Sequence, residues 1–276
     1  MPRKRAADVS AISDERQEGE SPAPVQPETR KRVDTGRRSL GSYVFMPVIV
    51  GVVLLSLYFA VRNRELDAAE QRRLAFDNIV SLTLDHLKLS IVSTAFVLLI
   101  AIPLGIMLTR PFARTITPPA IAFFNIGQAV PSIGLVAIFA IVWTIGFAPM
   151  IVALVAYTTL PVLRNTMVGL RQVDDAVIES ARGMGMTKLA VLARIELPLA
   201  VPVIMAGLRT ALTINVGTAT LGAFIGVECL GTLIVSGFSG SRPFITIVGG
   251  ILVAALALLI DYLAGIAEDV LRPRGL

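Results

Sequence analysis

The chain has 276 residues, of which 54% are hydrophobic and 16% charged, with a formal net charge of +5 and a mean hydropathy of +0.74. Its apolar residues gather into long uncharged runs split by short charged ones, which excludes an ordinary soluble domain and marks an all-α polytopic membrane protein. One cysteine (Cys229) and one histidine (His86) exclude an intrachain disulfide, a thiolate metal cage and a Ser-His-Asp arrangement, and no G-x-x-x-x-G-K-S/T loop is present to cradle ATP.

Residues Met1–Gly41 are rich in charge, Pro, Ser and Glu and lack an apolar pattern, so they are expected to be disordered. The cluster Arg30-Lys31-Arg32 with Arg37-Arg38 precedes the first apolar run, and by the positive-inside rule it keeps this tail cytoplasmic, near anionic lipid. Because the other basic residues also flank hydrophobic runs, the positive balance points to membrane orientation and not to nucleic acid. Tyr43–Val61 has the length of a membrane span, not of a cleavable signal core.

Arg62–Asp85 carries balanced charge and reads as an outside segment with an amphipathic helix (Leu66, Ala69, Leu74). His86, beside Asp85 at a span's edge, is expected to be solvated. Leu89–Thr109 is the second predicted span, with a kink at Pro103 and Gly105, and Arg110 and Arg114 close it on the inside. Thr115–Leu163 holds no charged residue. As one helix it would be roughly 70 Å long, more than twice a hydrocarbon core of about 30 Å, so it must fold back. Gly146–Pro149 is the predicted break, giving spans near Ile116–Ile145 and from Met150 to about Met167, with Trp143 at the interface.

Leu170–Pro198 is a polar island between hydrophobic runs. Val177, Ile178 and Ala181 repeat at helical spacing, as do Leu189, Leu192 and Ile195, so two short amphipathic helices are predicted. Asp174 or Asp175 would cap the first and Thr187 the second, with Gly183 and Gly185 at the turn between them. The fifth span, Val201–Val227, contains Arg209, expected to snorkel to the inner face or turn into the bundle, the former favoured. Glu228–Arg242 is an outside loop with its own apolar residues, and Pro243–Ile260 is the sixth span, ending near Asp261. Six spans put both termini in the cytoplasm.

Glu179-Ser180-Ala181, Gly185 after three residues, and Ile195-Glu196-Leu197-Pro198 after nine more are similar to the "EAA" loop of ABC-importer permeases, E-A-A-x3-G-x9-I-x-L-P. Ser180 is the departure. Three further stretches, Gln128–Leu135, Tyr157–Thr166 and Val216–Gly226, resemble the glycine betaine/carnitine/choline (osmoprotectant) branch of those importers. That branch usually continues G-A-G-G-L-G where this chain has Gly226-Val227-Glu228-Cys229-Leu230-Gly231.

The resemblance implies a type I importer permease fold with about six transmembrane helices. It divides the chain into a disordered cytoplasmic tail (1–41), a first transmembrane helix with outside segment (42–81), the permease domain (82–265, coupling loop 170–198) and a cytoplasmic tail (266–276). It implies a cell-membrane permease subunit, itself no enzyme and without cofactor or metal, for an osmoprotectant such as glycine betaine, carnitine, choline or proline betaine. Its partners would be cytoplasmic ATPase subunits, an external substrate-binding protein, and a second permease copy or a paralogue. Glu179, Ser180, Ala181, Gly183, Gly185, Ile195, Leu197 and Pro198 would couple to the ATPase. Gln128, Pro131, Ser132, Thr158, Thr218 and Thr220 would line the pathway, their hydroxyls and amides meeting a solute without buried charge, while Gly222-x-x-x-Gly226 would let helices approach closely. A permease for another small polar solute such as an amino acid is the alternative; a passive channel or scaffold leaves the polar loop unexplained. A secondary transporter would need carboxylates within the spans, which the uncharged runs lack.

Overall fold

The computed structural model describes residues 40–271, with side chains from Tyr43 onward, so the expectations for Met1–Ser39, Arg272 and Arg274 lie outside the described residues. Among the described residues the chain is helical: α1 (Leu40–Arg62), α2 (Ala68–Arg73), α3 (Phe76–Thr109), α4 (Thr117–Ala129), α5 (Ser132–Val142), α6 (Phe147–Arg171), α7 (Asp175–Gly183), α8 (Lys188–Val191), α9 (Leu197–Ala219), α10 (Gly231–Ser239) and α11 (Pro243–Leu271). Short 3-10 turns at Pro111–Ala113 and Thr220–Ile225 and a π-turn at Leu192–Glu196 join some of them. Five helices are long and apolar enough to cross a membrane, and the pair α4–α5, bent by 96°, brings the number to six if it counts as one span.

The pair does make one crossing. Arg110, at the C-cap of α3, bonds Glu196 just before α9, so these two ends share a face of the bundle. Lys88, further back on α3, lies 5.6 Å from the ring of Phe147 at the start of α6. From Lys88 to Arg110 is about 33 Å of helix, the thickness of a hydrocarbon core. The chain between Arg110 and Phe147 must cover that distance in the other direction. The chain therefore turns back between the third and fourth crossings at Gly146, where α5 gives way to α6, as expected from Gly146–Pro149, and the sharp bend at Val130-Pro131 (ψ 133° and 132°) lies within the third crossing. Proline disfavours the helical conformation in the residue before it, which ends α4 there.

Helices α3, α6 and α9 form the centre. Leu89, Met150, Leu154, Ala219 and Ile225 make one buried cluster, and Val97, Ala101, Leu160, Leu163 and Ala211 a second. The close approaches come at Gly105, where a Cβ would meet Thr166 at 2.7 Å, and Gly207, where it would meet Asn165 at 2.6 Å. The predicted small-residue contact at Gly222-x-x-x-Gly226 is not a helix crossing; Gly226 closes the second 3-10 turn with φ +75°. Helix α1 packs mainly along α11, Tyr262 Oη donating to Tyr43 O at 2.8 Å, and most of its apolar side chains face outward. In a bilayer such a face meets lipid.

Helices outrun the predicted spans at both ends. Helix α3 begins at Phe76 inside the predicted outside segment, α11 continues to Leu271, and α1 already includes Leu40 and Gly41. The outside segment keeps a short helix, α2, held by a capping box of Asp67 and Glu70 and by Arg242 Nε donating to Asp67 Oδ2 at 2.9 Å. The Glu70 amide and then Arg242 hold the Asp67 carboxyl below its ordinary 3.8. A depressed carboxylate stabilises above its unfolded pKa and ceases to do so only as pH falls through the folded one, so this clasp is intact at mildly acidic pH. Glu228–Arg242 is a helical corner with Leu230 and Leu233 fully buried, not a loose loop.

Two polar expectations are corrected. His86 is fully buried, because the early start of α3 turns it toward α9, where Nε2 lies 2.9 Å from Val216 O. Thr220 N–H, which an unbroken α-helix would give to Val216 O, turns instead to Gly217 O as α9 tightens into its 3-10 turn. The histidine supplies the donor for that carbonyl. Arg209 does not snorkel: Nε and Nη2 donate to the two oxygens of Asp261 at 3.0 and 2.9 Å, and Nη1 to Glu268 at 3.3 Å. Fork geometry matches carboxylate geometry, which outweighs reaching for the surface.

His86→Ala should cost about 1–3 kcal/mol, since it strands the buried Val216 carbonyl. His86→Gln, whose amide nitrogen can take the place of Nε2, should recover most of it. Thermal unfolding of the purified protein in detergent checks both, and equal melting temperatures for His86→Ala and the parent would refute the assignment.

Candidate functional site

Beyond Arg171 the chain leaves the bundle and returns at Leu197, on the face defined by Arg110. Asp174 caps α7, its Oδ1 accepting from Ala176 N–H at 2.8 Å. At the other end Met186 N–H donates to Ala181 O at 3.1 Å and Gly185 N–H to Arg182 O at 2.9 Å, with Gly185 at φ +87°. This paired bonding is a Schellman motif, whose left-handed position suits glycine. Gly183 is the last residue of α7 and has ordinary φ, so only one of the paired glycines is used for the turn. Thr187 Oγ accepts from Ala190 N–H at 3.2 Å and starts α8.

The second half of this hairpin is not a separate helix. From Lys188 the chain runs through the π-turn directly into α9, so the return arm and the fifth span are one rod. The apolar spacing of Leu189, Leu192 and Ile195 was compatible with either outcome, as periodicity does not see the absence of a breaker before Leu197.

Ala181 and Val191 are buried beneath the hairpin. Glu179, Ser180, Gly183 and Gly185 face outward, together with Met184 (77% exposed) and Leu189 (74%). Ser180 Oγ donates to Ala176 O at 2.7 Å, which satisfies the hydroxyl on its own helix and makes the Ser-for-Ala departure harmless locally. Ile195, Leu197 and Pro198 are half-buried at the root of the return arm. Between them Glu196, only 6% exposed, takes a two-pronged bond from Arg110, 2.6 Å from Nη2 and 3.3 Å from Nη1. Sequence reading passed over this pair, since Glu196 falls on the unspecified position of I-x-L-P.

The residues assigned to a pathway separate into two groups. Gln128 Nε2 donates to Tyr157 O at 3.1 Å and ties α4 to α6 at the bend, next to the exposed Pro131 and half-buried Ser132. Thr158 turns the other way and is fully buried, with Oγ 2.7 Å from Leu154 O and 3.2 Å from Asn215 Oδ1. It belongs to the packing between α6 and α9. Thr218 and Thr220 are half-buried near the end of α9, Thr220 Oγ donating to Gly217 O at 2.7 Å. Among the described residues no hydrogen bond joins Ser132, Thr218 or Thr220 to Gln128 or Thr158. Where the resembled branch has two glycines, Glu228 is exposed and Cys229 is fully buried, its Sγ 3.4 Å from Ala219 O. The corner after α9 is thus filled by a side chain.

The hairpin is thus exposed at one face and rooted in two central helices, and the sharply bent helix pair packs against the centre. The family described as "Binding-protein-dependent transport system inner membrane component" matches residues 101–274. The choline transport system permease protein OpuBB of Bacillus subtilis (strain 168) is 42% identical over 196 residues, 70% of this chain and 88% of the relative. The glycine betaine/carnitine/choline permease protein OpuCB of the same organism is 39% identical over 192 residues, again 70% and 88%. Among solved structures, an inward-facing MetNI methionine ABC transporter superposes with a TM-score of 0.62 at 24% identity, over 71% of this chain and 96% of that one. The chain belongs to the family of binding-protein-dependent transport system inner membrane components, the multi-pass permeases of ABC importers, and has their type I fold.

Proposed function

We propose that this chain is the permease subunit of an ATP-driven importer for an osmoprotectant of the choline, carnitine and glycine betaine class. The observation that carries the reading is the likeness to osmoprotectant permeases over 88% of their length. ATP is hydrolysed by separate subunits that dock on the α7–α8 hairpin, and an external binding protein delivers the solute. A second permease copy or a paralogue completes the conduit. Residues 1–41, the hairpin 170–198 and residues 266–276 face the cytoplasm, whereas the loop with α2 and the corner with α10 face outward; the basic flanks Arg110, Arg114, Arg164, Arg171, Lys188 and Arg194 support that orientation.

In this reading Glu179, Ser180, Gly183 and Gly185 present the docking face and Ala181 seats it. Ile195, Leu197 and Pro198 pass its displacement into α9. Gln128, Pro131 and Ser132 at the bend, with Thr218 and Thr220, line the solute's route, and Thr158 holds α6 against α9 behind it. A quaternary ammonium solute would be gripped by an aromatic cage through cation–π attraction. With 6% aromatic residues and one Trp, this chain is suited to passing the solute on and not to selecting it.

ATP-dependent uptake of labelled choline, carnitine and glycine betaine by vesicles holding the complete complex tests the substrate class; uptake of an amino acid in their place would overturn it. A cysteine at Lys188 should be labelled only from the cytoplasmic side, against the buried Cys229 as a quiet background.

Gly185→Val should disrupt the hairpin without preventing membrane insertion, because a β-branched residue is strongly disfavoured at φ +87°. Parental uptake and ATPase stimulation in that variant would refute it.

Glu179→Ala should release the ATPase. Truncating one member of a desolvated charge pair costs roughly 2–5 kcal/mol, at least about tenfold in docking. Ser180→Ala should be nearly silent. Retention of the ATPase on each purified variant is the measurement, and unchanged retention in Glu179→Ala would make it a merely solvated charge.

A further inference from the structure

The ion pair Arg110–Glu196 is more than a staple. Glu196 ends the π-turn Leu192–Glu196, the one place where the return arm departs from α-helical winding. Such an insertion in a helix often marks a functional position, since it re-aims the side chains that follow. Here it leaves Glu196 facing inward at a point otherwise flanked by the half-buried Ile195 and Leu197. Arg110 meets it from the C-cap of α3, one residue ahead of the 3-10 turn that leads into α4. Helix α4 carries Gln128 and ends at the 96° bend. The pair thus bridges two segments far apart in the chain, the return arm of the hairpin and the corner that leads to the bend.

Both partners are committed to each other. Arg110 makes no other side-chain hydrogen bond among the described residues, and Glu196 accepts from no other donor there. Arg114 and Arg171, the other cations at this corner, are exposed and do not contact Glu196. A carboxylate this buried depends on its partner, because a stranded charge in such a place is costly. Two parallel N–H···O bonds fix direction as well as distance, so the contact resists shear between the arm and the corner.

We propose that Arg110–Glu196 is the positioning pair that carries displacement of the docking hairpin to α4 and the bend, alongside the continuous route into α9. The proposal rests on the hairpin being the site where the ATPase docks. Without the pair, the hairpin would still bind and be moved, but only α9 would follow; ATP would be consumed with little solute moved.

The experiment uses the complete complex in vesicles, with ATPase retention, ATP hydrolysis and solute uptake measured on the same preparations. Arg110→Lys keeps the charge but removes the fork, and Glu196→Gln keeps the shape but removes the charge. Each should retain the ATPase and hydrolyse ATP near the parental rate while the solute moved per ATP falls at least tenfold. The exchange Arg110→Glu with Glu196→Arg should restore part of that ratio, which a general loss of stability would not allow. Parental transport per ATP in both single variants would overturn the proposal, as would loss of uptake that follows loss of folded protein or of ATPase in strict proportion. If the ATPase also stays on Glu179→Ala and Gly185→Val, it is the docking assignment of the hairpin that fails, whatever Arg110 and Glu196 do.

Discussion

Asn215 lies fully buried where α3, α6 and α9 meet, its Nδ2 donating to Thr94 Oγ at 2.9 Å and its Oδ1 3.2 Å from Thr158 Oγ. The Thr158 hydroxyl has one proton and two acceptors within reach, Asn215 Oδ1 and Leu154 O, and serves one at a time. In lipid, apolar side chains gain little by leaving one aliphatic medium for another, so helices associate through close packing and internal polar contacts. The three helices meet both conditions. Gly105 and Gly207 bring the backbones together, and the Asn215 amide fixes which faces meet. The bent pair α4–α5 and the remaining helices are arranged around this centre, and the hairpin grows from two of its three rods.

The same rule explains why so many hydroxyls do nothing visible. Ser90, Thr159 and Thr166 each donate to a carbonyl one turn earlier on their own helix. They are satisfied without a partner helix and present only carbon to their neighbours. A polar residue within a span therefore counts as a contact only when its own helix cannot satisfy it, as with Asn215, His86 and Gln128.

Much of this was legible in the chain alone, and the failures share one cause. Uncharged runs located the crossings, and the caps Asp174 and Thr187 and the left-handed Gly185 stand where local chemistry put them. These are properties of a few neighbouring residues. The long uncharged stretch is divided at Gly146–Pro149, as local chemistry implies, whereas the 96° bend at Val130-Pro131 falls inside the expected third span, beside Gln128, which donates to Tyr157 O. His86, Arg209 and Glu196 were misread or passed over because their partners lie 130, 52 and 86 residues away. A lone charge in a hydrophobic run announces a partner but does not say where it is.

The cluster of Arg209, Asp261 and Glu268 bears on how the protein is made. Arg209 is well inside α9, about 18 Å from its first residue at 1.5 Å per residue. Taken singly, Arg or Asp near the middle of an inserting helix costs roughly 2.5–3.5 kcal/mol. Neither α9 nor α11 is therefore at ease in lipid before the other arrives. The segment between them is short and folds as a compact corner around α10, so the second helix is close behind the first as synthesis proceeds. The two are suited to leaving the insertion machinery as a hairpin, their charges already joined.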